Sequence, residues 1–138
     1  MSSKAHDFIV AALARKARQM GFAPIALDGR KQDVTAKSVT LPPAVLRHRP
    51  DMLGVRVDGS FCIAEAKTAS DIHSPRTHEQ LHDFALAVAQ GTGNALLLGV
   101  PLSVKSAWEQ EMANAAMPTG TTVETLYIPD ALLPDEEV

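Results

Sequence analysis

Two carboxylates and an ammonium crowd one end of the stretch "RPDMLGVRVDGSFCIAEAK", residues 49–67: Asp51 opens it, and Glu65 and Lys67 close it. The two arms between them, either side of Asp58-Gly59, are otherwise core material. Side chains alternate along a strand, so Glu65 and Lys67 share a face with Ile63 and Phe61. The side taken by Asp51 depends on the turn. A two-residue turn at Asp58-Gly59 pairs 57 with 60, hence 51 with 66, and turns Asp51 away from Glu65. A three-residue turn, or one bulge, pairs 51 with 65 and brings both carboxylates onto one face. The second register is expected. Carboxylates that close repel one another unless a cation lies between them. Oxygen ligands of this kind suit Mg²⁺ (or Mn²⁺), which takes one or two carboxylates and leaves positions for water and a substrate phosphate. Lys67 would then hold a hydroxide-like nucleophile or offset charge developing on a phosphate. The plain alternative makes Asp51 a turn cap, and Glu65 and Lys67 solvated gatekeeping charges at the end of an edge strand.

Pro50-Asp51, thirteen residues, then Glu65-Ala66-Lys67 on the second arm of a hairpin resembles the PD-(D/E)xK nuclease superfamily, which includes restriction endonucleases and Holliday-junction resolvases. The resemblance implies that Asp51 and Glu65 are metal ligands, joined by the backbone carbonyl of Ala66, and that Lys67 assists the attacking water. It also implies two further residues: an acidic ligand from the first helix, to which Asp7 is the nearest match, and a Gln on the helix after the motif, which Gln80 matches.

A second motif competes. "HEQLH", His78 to His82, fits the H-E-x-x-H pattern of zinc peptidases, with His78 and His82 one helical turn apart and Glu79 placed to activate a water. By residue frequencies it is the rarer match of the two. Against it, Leu81, Phe84, Ala85 and Val88 define the buried stripe, which leaves both histidines on the flank, and a third ligand would have to come from Glu109 or Glu111 across a β-rich chain.

Whatever the chemistry, the surrounding elements must hold these side chains. Residues 4–20 read as a helix, with Ala5, Phe8 and Ala12 on one side, Arg15 and Arg18 elsewhere, and Gly21 as the stop. "FAPIALDG" reads as a short strand whose Pro suggests an edge or an irregular start. "VTAKSVTL" (34–41) is strand-like but weaker. After the hairpin arms, about 51–57 and 60–67, Ser74-Pro75 opens a helix that Gly91 ends. "NALLLGV" (94–100) is apolar throughout, as a strand buried on both faces would be. A helix over 103–116 opened by Ser103 and a strand over 121–128 follow. The order α-β-β-β-α-β-α-β predicts a single α/β domain over 1–138, a mixed sheet flanked by helices on both faces, with about 131–138 as a frayed tail. This order also resembles the restriction endonuclease-like core.

Charge is unevenly spread. Residues 1–56 carry ten of the thirteen Lys and Arg against four acids, a net +6, whereas 57–138 carry a net −9, within an overall −3. Such asymmetry marks either a nucleic-acid face or solvated helix faces plus the acidic end "PDEEV". On the first view, Arg47, His48 and Arg49 form a phosphate clamp beside the site, Arg15, Lys16, Arg30 and Lys31 line a DNA track, and Thr68, Ser70 and Thr77 donate to phosphates. DNA is the expected partner, with a homodimer or a recruiting protein to enlarge the contact. Trp108 reads as core. Cys62, the lone cysteine, reads as buried filler and excludes a disulfide framework. No apolar run approaches the roughly 18 residues of a membrane span. The first 22 residues lack the features of a signal peptide, so a reducing cytoplasm is expected.

Overall fold

A computed structural model describes residues 3–27, 47–115 and 117–134. The candidate strand at 34–41, and with it Arg30 and Lys31, lie outside the described residues.

The first helix, α1 (Lys4–Gln19), begins where Ser3 accepts a hydrogen bond from the His6 N–H (3.0 Å), a side-chain N-cap. Its buried stripe is Ala5, Ile9, Val10, Leu13, Ala14 and Ala17. The expected stripe through Phe8 and Ala12 is displaced by one position: Phe8 is 37 % exposed. The larger aliphatics Ile9 and Leu13 gain more from burial than the alanines and set the rotation of the helix.

Five strands form one sheet in chain order: β1 (Ala23–Leu27), β2 (Met52–Val55), β3 (Phe61–Ala66), β4 (Ala95–Pro101) and β5 (Val123–Ile128). The first two pairings are antiparallel and the last two parallel, so the sheet is mixed. β1 is an edge strand, with a register shift between Pro24 and Ala26, which is where a residue without an N–H is tolerated. β4 is buried along its whole length. Two helices make the crossovers, α2 (Pro75–Val88) and α3 (Lys105–Asn114).

The layers are asymmetric. α1 packs on one face with Met52, Cys62, Ala64, Ala66, Ala95 and Leu97. α2 and α3 cover the other face with Ile63, Leu96, Leu98, Val100 and Trp108. Helices on both faces of a mixed sheet, in the order α-β-β-β-α-β-α-β, match the sequence expectation. Two boundaries differ. Ser103 does not open α3: its N–H and Oγ both donate to Asp130 (2.8 and 2.7 Å), and a 3₁₀ turn at Leu102–Val104 precedes the helix. At the start of the expected tail, Asp130–Leu132 form a 3₁₀ turn and Leu133 packs on the core; residues 135–138 lie outside the described residues. Among the described residues, no helix is long and apolar enough to cross a membrane.

Candidate active site

The hairpin turn decides which charges meet. Arg56 N–H donates to the Ser60 carbonyl (2.9 Å), leaving Val57, Asp58 and Gly59 as a three-residue loop. Gly59 has φ +91°, the left-handed position that such loops place third and that favours glycine. The ladder then pairs Val55 with Phe61 and Met52 with Ala64, so the next pair is 51 with 65. This is the register that places both carboxylates on one face, the face that carries Ile63 and is covered by α2.

Beyond Met52 the ladder gives way to side chains. Asp51 N–H donates to Glu65 Oε1 (3.1 Å), and Ala66 N–H donates to Asp51 Oδ2 (2.8 Å). Each carboxylate thus bonds the opposite strand's backbone and closes the hairpin end. Lys67 N–H continues onto the Gly99 carbonyl of β4 (2.9 Å), which fixes where its side chain starts. Lys67 Nζ lies 3.3 Å from Glu65 Oε2 and donates to Gln80 Oε1 on α2. Asp51, Glu65, Lys67 and Gln80 are each at most 6 % exposed. Solvated gatekeepers on an edge strand they are not: β3 is the central strand and α2 covers them. Burial, and then the charge of Asp51, push the Glu65 carboxyl up to about 8, although Lys67 pulls in the other direction.

A further side chain reaches the site from the opposite layer. His6 Nε2 on α1 lies 3.1 Å from Asp51 Oδ2, while Asp7, the expected acidic ligand, sits with Oδ1 3.8 Å from His6 Nδ1. Burial lowers the proton affinity of His6, but the hydrogen bond and charge of Asp51, with Glu65 and Asp7 behind it, outweigh that and raise it above the ordinary value. The sequence reading missed His6 because it centred the α1 stripe on Phe8. A stripe through Ile9, Val10 and Leu13 places His6, three and four residues before the first two, on the inward side.

The donor set suits a hard divalent ion. Among the described residues no group of three His, Cys, Asp or Glu side chains is arranged to hold a metal, so the protein side chains offer two carboxylates. That is the complement Mg²⁺ accepts when waters, backbone carbonyl and substrate oxygens complete its shell. The raised Glu65 carboxyl is the mark of two buried acids short of positive charge, which such an ion would supply.

The predicted phosphate contacts are arranged differently. Arg47 donates from Nε and Nη2 to both oxygens of buried Asp83 on α2 (3.2 and 2.9 Å) and holds that carboxyl below the usual range. His48 is buried at 5 % exposure, 3.5 Å from Glu79 Oε1 and 3.7 Å from Asp83 Oδ2. Both face α2 because its acids attract them; Arg49 is exposed. Thr68 Oγ1 donates to Asp71 (2.9 Å) and Thr77 Oγ1 to the Asp71 carbonyl (2.6 Å), which are turn and cap roles. Lys16 pairs with Glu124 (3.4 Å), and Arg15 is exposed. Both lie about 14 Å along α1 from His6 at 1.5 Å per residue. Part of the charge contrast between the halves therefore closes inside the fold, through Lys16–Glu124 and Arg47–Asp83.

Among the described residues the zinc-motif side chains are not grouped to hold a metal, although Glu111, one of the two expected third ligands, does reach His78. His78 Nε2 bonds Glu111 Oε1 (2.5 Å) on α3, His73 Nδ1 bonds the other oxygen (2.6 Å), and His82 is exposed. Trp108 is core, and Cys62 is buried, its thiol pushed up to about 12 by burial.

No family model matches the sequence, and no curated protein matches it. Among solved structures, the chain is similar to that of a repair endonuclease from Pyrococcus abyssi, at 16% identity and a TM-score of 0.42. The match covers 89% of this chain and 47% of that one, so the chain spans about half the length of that structure.

Proposed function

We propose that this protein is a Mg²⁺- or Mn²⁺-dependent endonuclease of the PD-(D/E)xK kind, with a restriction endonuclease-like core, hydrolysing phosphodiester bonds in DNA. One observation carries the proposal: the hairpin register, continued past Met52–Ala64, brings buried Asp51 opposite Glu65, and Lys67 Nζ lies 3.3 Å from Glu65 Oε2. Asp51 and Glu65 would hold the ion, with the Ala66 carbonyl as a further oxygen donor; Asp7, the acidic ligand the resemblance implies, is not grouped with them and lies with Oδ1 3.8 Å from His6 Nδ1. When bound, the ion supplies Lewis-acid stabilisation of charge on the phosphate.

The chain's own groups do the remainder. Glu65 and Gln80 take hydrogen bonds from the Lys67 ammonium and so orient its remaining donor. That donor holds the attacking water and offsets charge as it develops on a phosphoryl oxygen. Burial under α2 strengthens both interactions by excluding competing water. A domain of this size offers a limited DNA footprint, and the proposal includes a homodimer or a recruiting protein in a reducing cytoplasm.

Purified protein should cut linear, nicked or branched DNA with Mg²⁺ or Mn²⁺, and Lys67→Ala or Glu65→Gln should slow cutting by about 100-fold or more with the fold retained, as measured by gel assay and circular dichroism. Undiminished cleavage in either variant defeats the assignment. Salt-sensitive, metal-independent DNA binding without cutting would assign a non-catalytic nucleic-acid-binding or assembly module instead.

A further inference from the structure

The first helix is built to deliver one side chain to the candidate metal site. Ser3 caps α1 by accepting from the His6 N–H (3.0 Å), which fixes the backbone at that residue. One turn on, Ile9 packs so closely on β4 that a Cβ added at Gly99 would lie 2.5 Å from Ile9 Cγ2. Gly99 is also the residue whose carbonyl accepts from Lys67 N–H (2.9 Å). The close approach of α1 and the placement of Lys67 thus share one strand position. From there His6 Nε2 comes within 3.1 Å of Asp51 Oδ2.

A carboxylate at this site only accepts, so Nε2 carries the hydrogen in that bond. Asp51 Oδ2 then receives two donors, the His6 ring and the Ala66 N–H (2.8 Å). The two bonds come from different layers of the fold and fix the plane of the carboxylate; Oδ1 takes part in neither. We propose that His6 is a positioning residue: by donating from Nε2 to Asp51 Oδ2 it holds the carboxylate plane and leaves Oδ1 as the oxygen presented to the divalent cation. The proposal rests on the assignment of Asp51 and Glu65 as the metal site and assigns His6 no bond to the ion. Partners of this kind orient ligands, and their loss lowers metal affinity by about 10- to 100-fold.

Mn²⁺ binding, read by electron paramagnetic resonance of the free ion and by Mg²⁺ competition, tests this without reference to cleavage. His6→Ala should weaken Mn²⁺ binding about 10- to 100-fold. His6→Gln, whose amide N–H lies near the Nε2 position, should restore most of it, whereas His6→Asn, which is too short, should not. The ratio of Mg²⁺ to Mn²⁺ affinity should stay constant across the series, because imidazole as a direct ligand would favour the transition ion and its loss would change that ratio. Unchanged affinity in His6→Ala, no recovery in His6→Gln, or a changed ratio overturns the positioning role. Should His6→Ala fail to fold by circular dichroism, the Gln and Asn pair decides alone. Glu65→Gln separates the two levels: if it binds Mn²⁺ as the wild type does, or if the wild type binds none, the metal site itself is wrong and the role of His6 falls with it. If Glu65→Gln abolishes binding while the His6 variants do not alter it, the site stands and only His6 is refuted.

Discussion

Two clusters of acids and bases lie on either side of α2, and they differ in burial. At the hairpin end, Asp51, Glu65 and Lys67 are 4–6 % exposed, bonded to backbone on two strands and closed by Gln80. On the far flank, His73 and His78 share Glu111 with side-chain exposures of 66 % and 52 %. Water screens the second cluster, so its short contacts contribute little. It barely reaches the first, where each charge must be answered by a partner or by a bound ion. The rarer sequence motif sits in the weaker electrostatic environment. Motif rarity measures chance, whereas the work a charge does is set by its surroundings.

The largest effect that would sharpen this contrast is expected at Glu65. Its carboxyl is raised in the folded state from an ordinary 4.5 to about 8, so the native protein keeps a proton that the unfolded chain releases. Metal-free protein should therefore lose stability as pH rises between those values. Divalent ions should oppose the loss, and Glu65→Gln should flatten the slope relative to wild type. His6, also raised, adds to the same trend, and the difference between wild type and Glu65→Gln isolates the carboxyl. Chemical denaturation at several pH values, with and without Mg²⁺, measures it; a wild-type slope unchanged in Glu65→Gln breaks the comparison. Next comes Gly99→Ala. Its Cβ would meet Ile9 and Leu13 of α1, at a cost of about 1–3 kcal/mol, and would push His6 off Asp51. Thermal melts and Mn²⁺ affinity should fall together. The smallest effect belongs to the exposed cluster: His78→Ala should change stability by about 0.5 kcal/mol or less and leave DNA cleavage untouched. A loss of several kcal/mol there would show that exposure is a poor guide to this molecule.

Much of the architecture was legible because local signals agreed. Ser74-Pro75 starts α2, the unbroken apolar run of β4 is buried on both sides, and Pro24 marks an irregular edge strand. The hairpin register was legible too, since Gly59 allows the three-residue loop that pairs 51 with 65. The partners of the long polar side chains were not. Arg47, His48 and Thr68 look like phosphate ligands in a linear sequence, yet two of them turn to acids of α2, and Asp71 caps Thr68 by accepting from its N–H and Oγ1. Ionic partners more than 30 residues apart leave no local trace.

The sequence by itself determined which residues alternate onto a common face, because a strand's period of two and a glycine's access to positive φ are properties of the local chain. Only the tertiary structure decided that this face is sealed by α2, that Gln80 meets Lys67, and that α1 comes close enough over Gly99 for His6 to reach Asp51. These outcomes depend on how layers pack, and packing is settled by the shapes of side chains far apart in the chain.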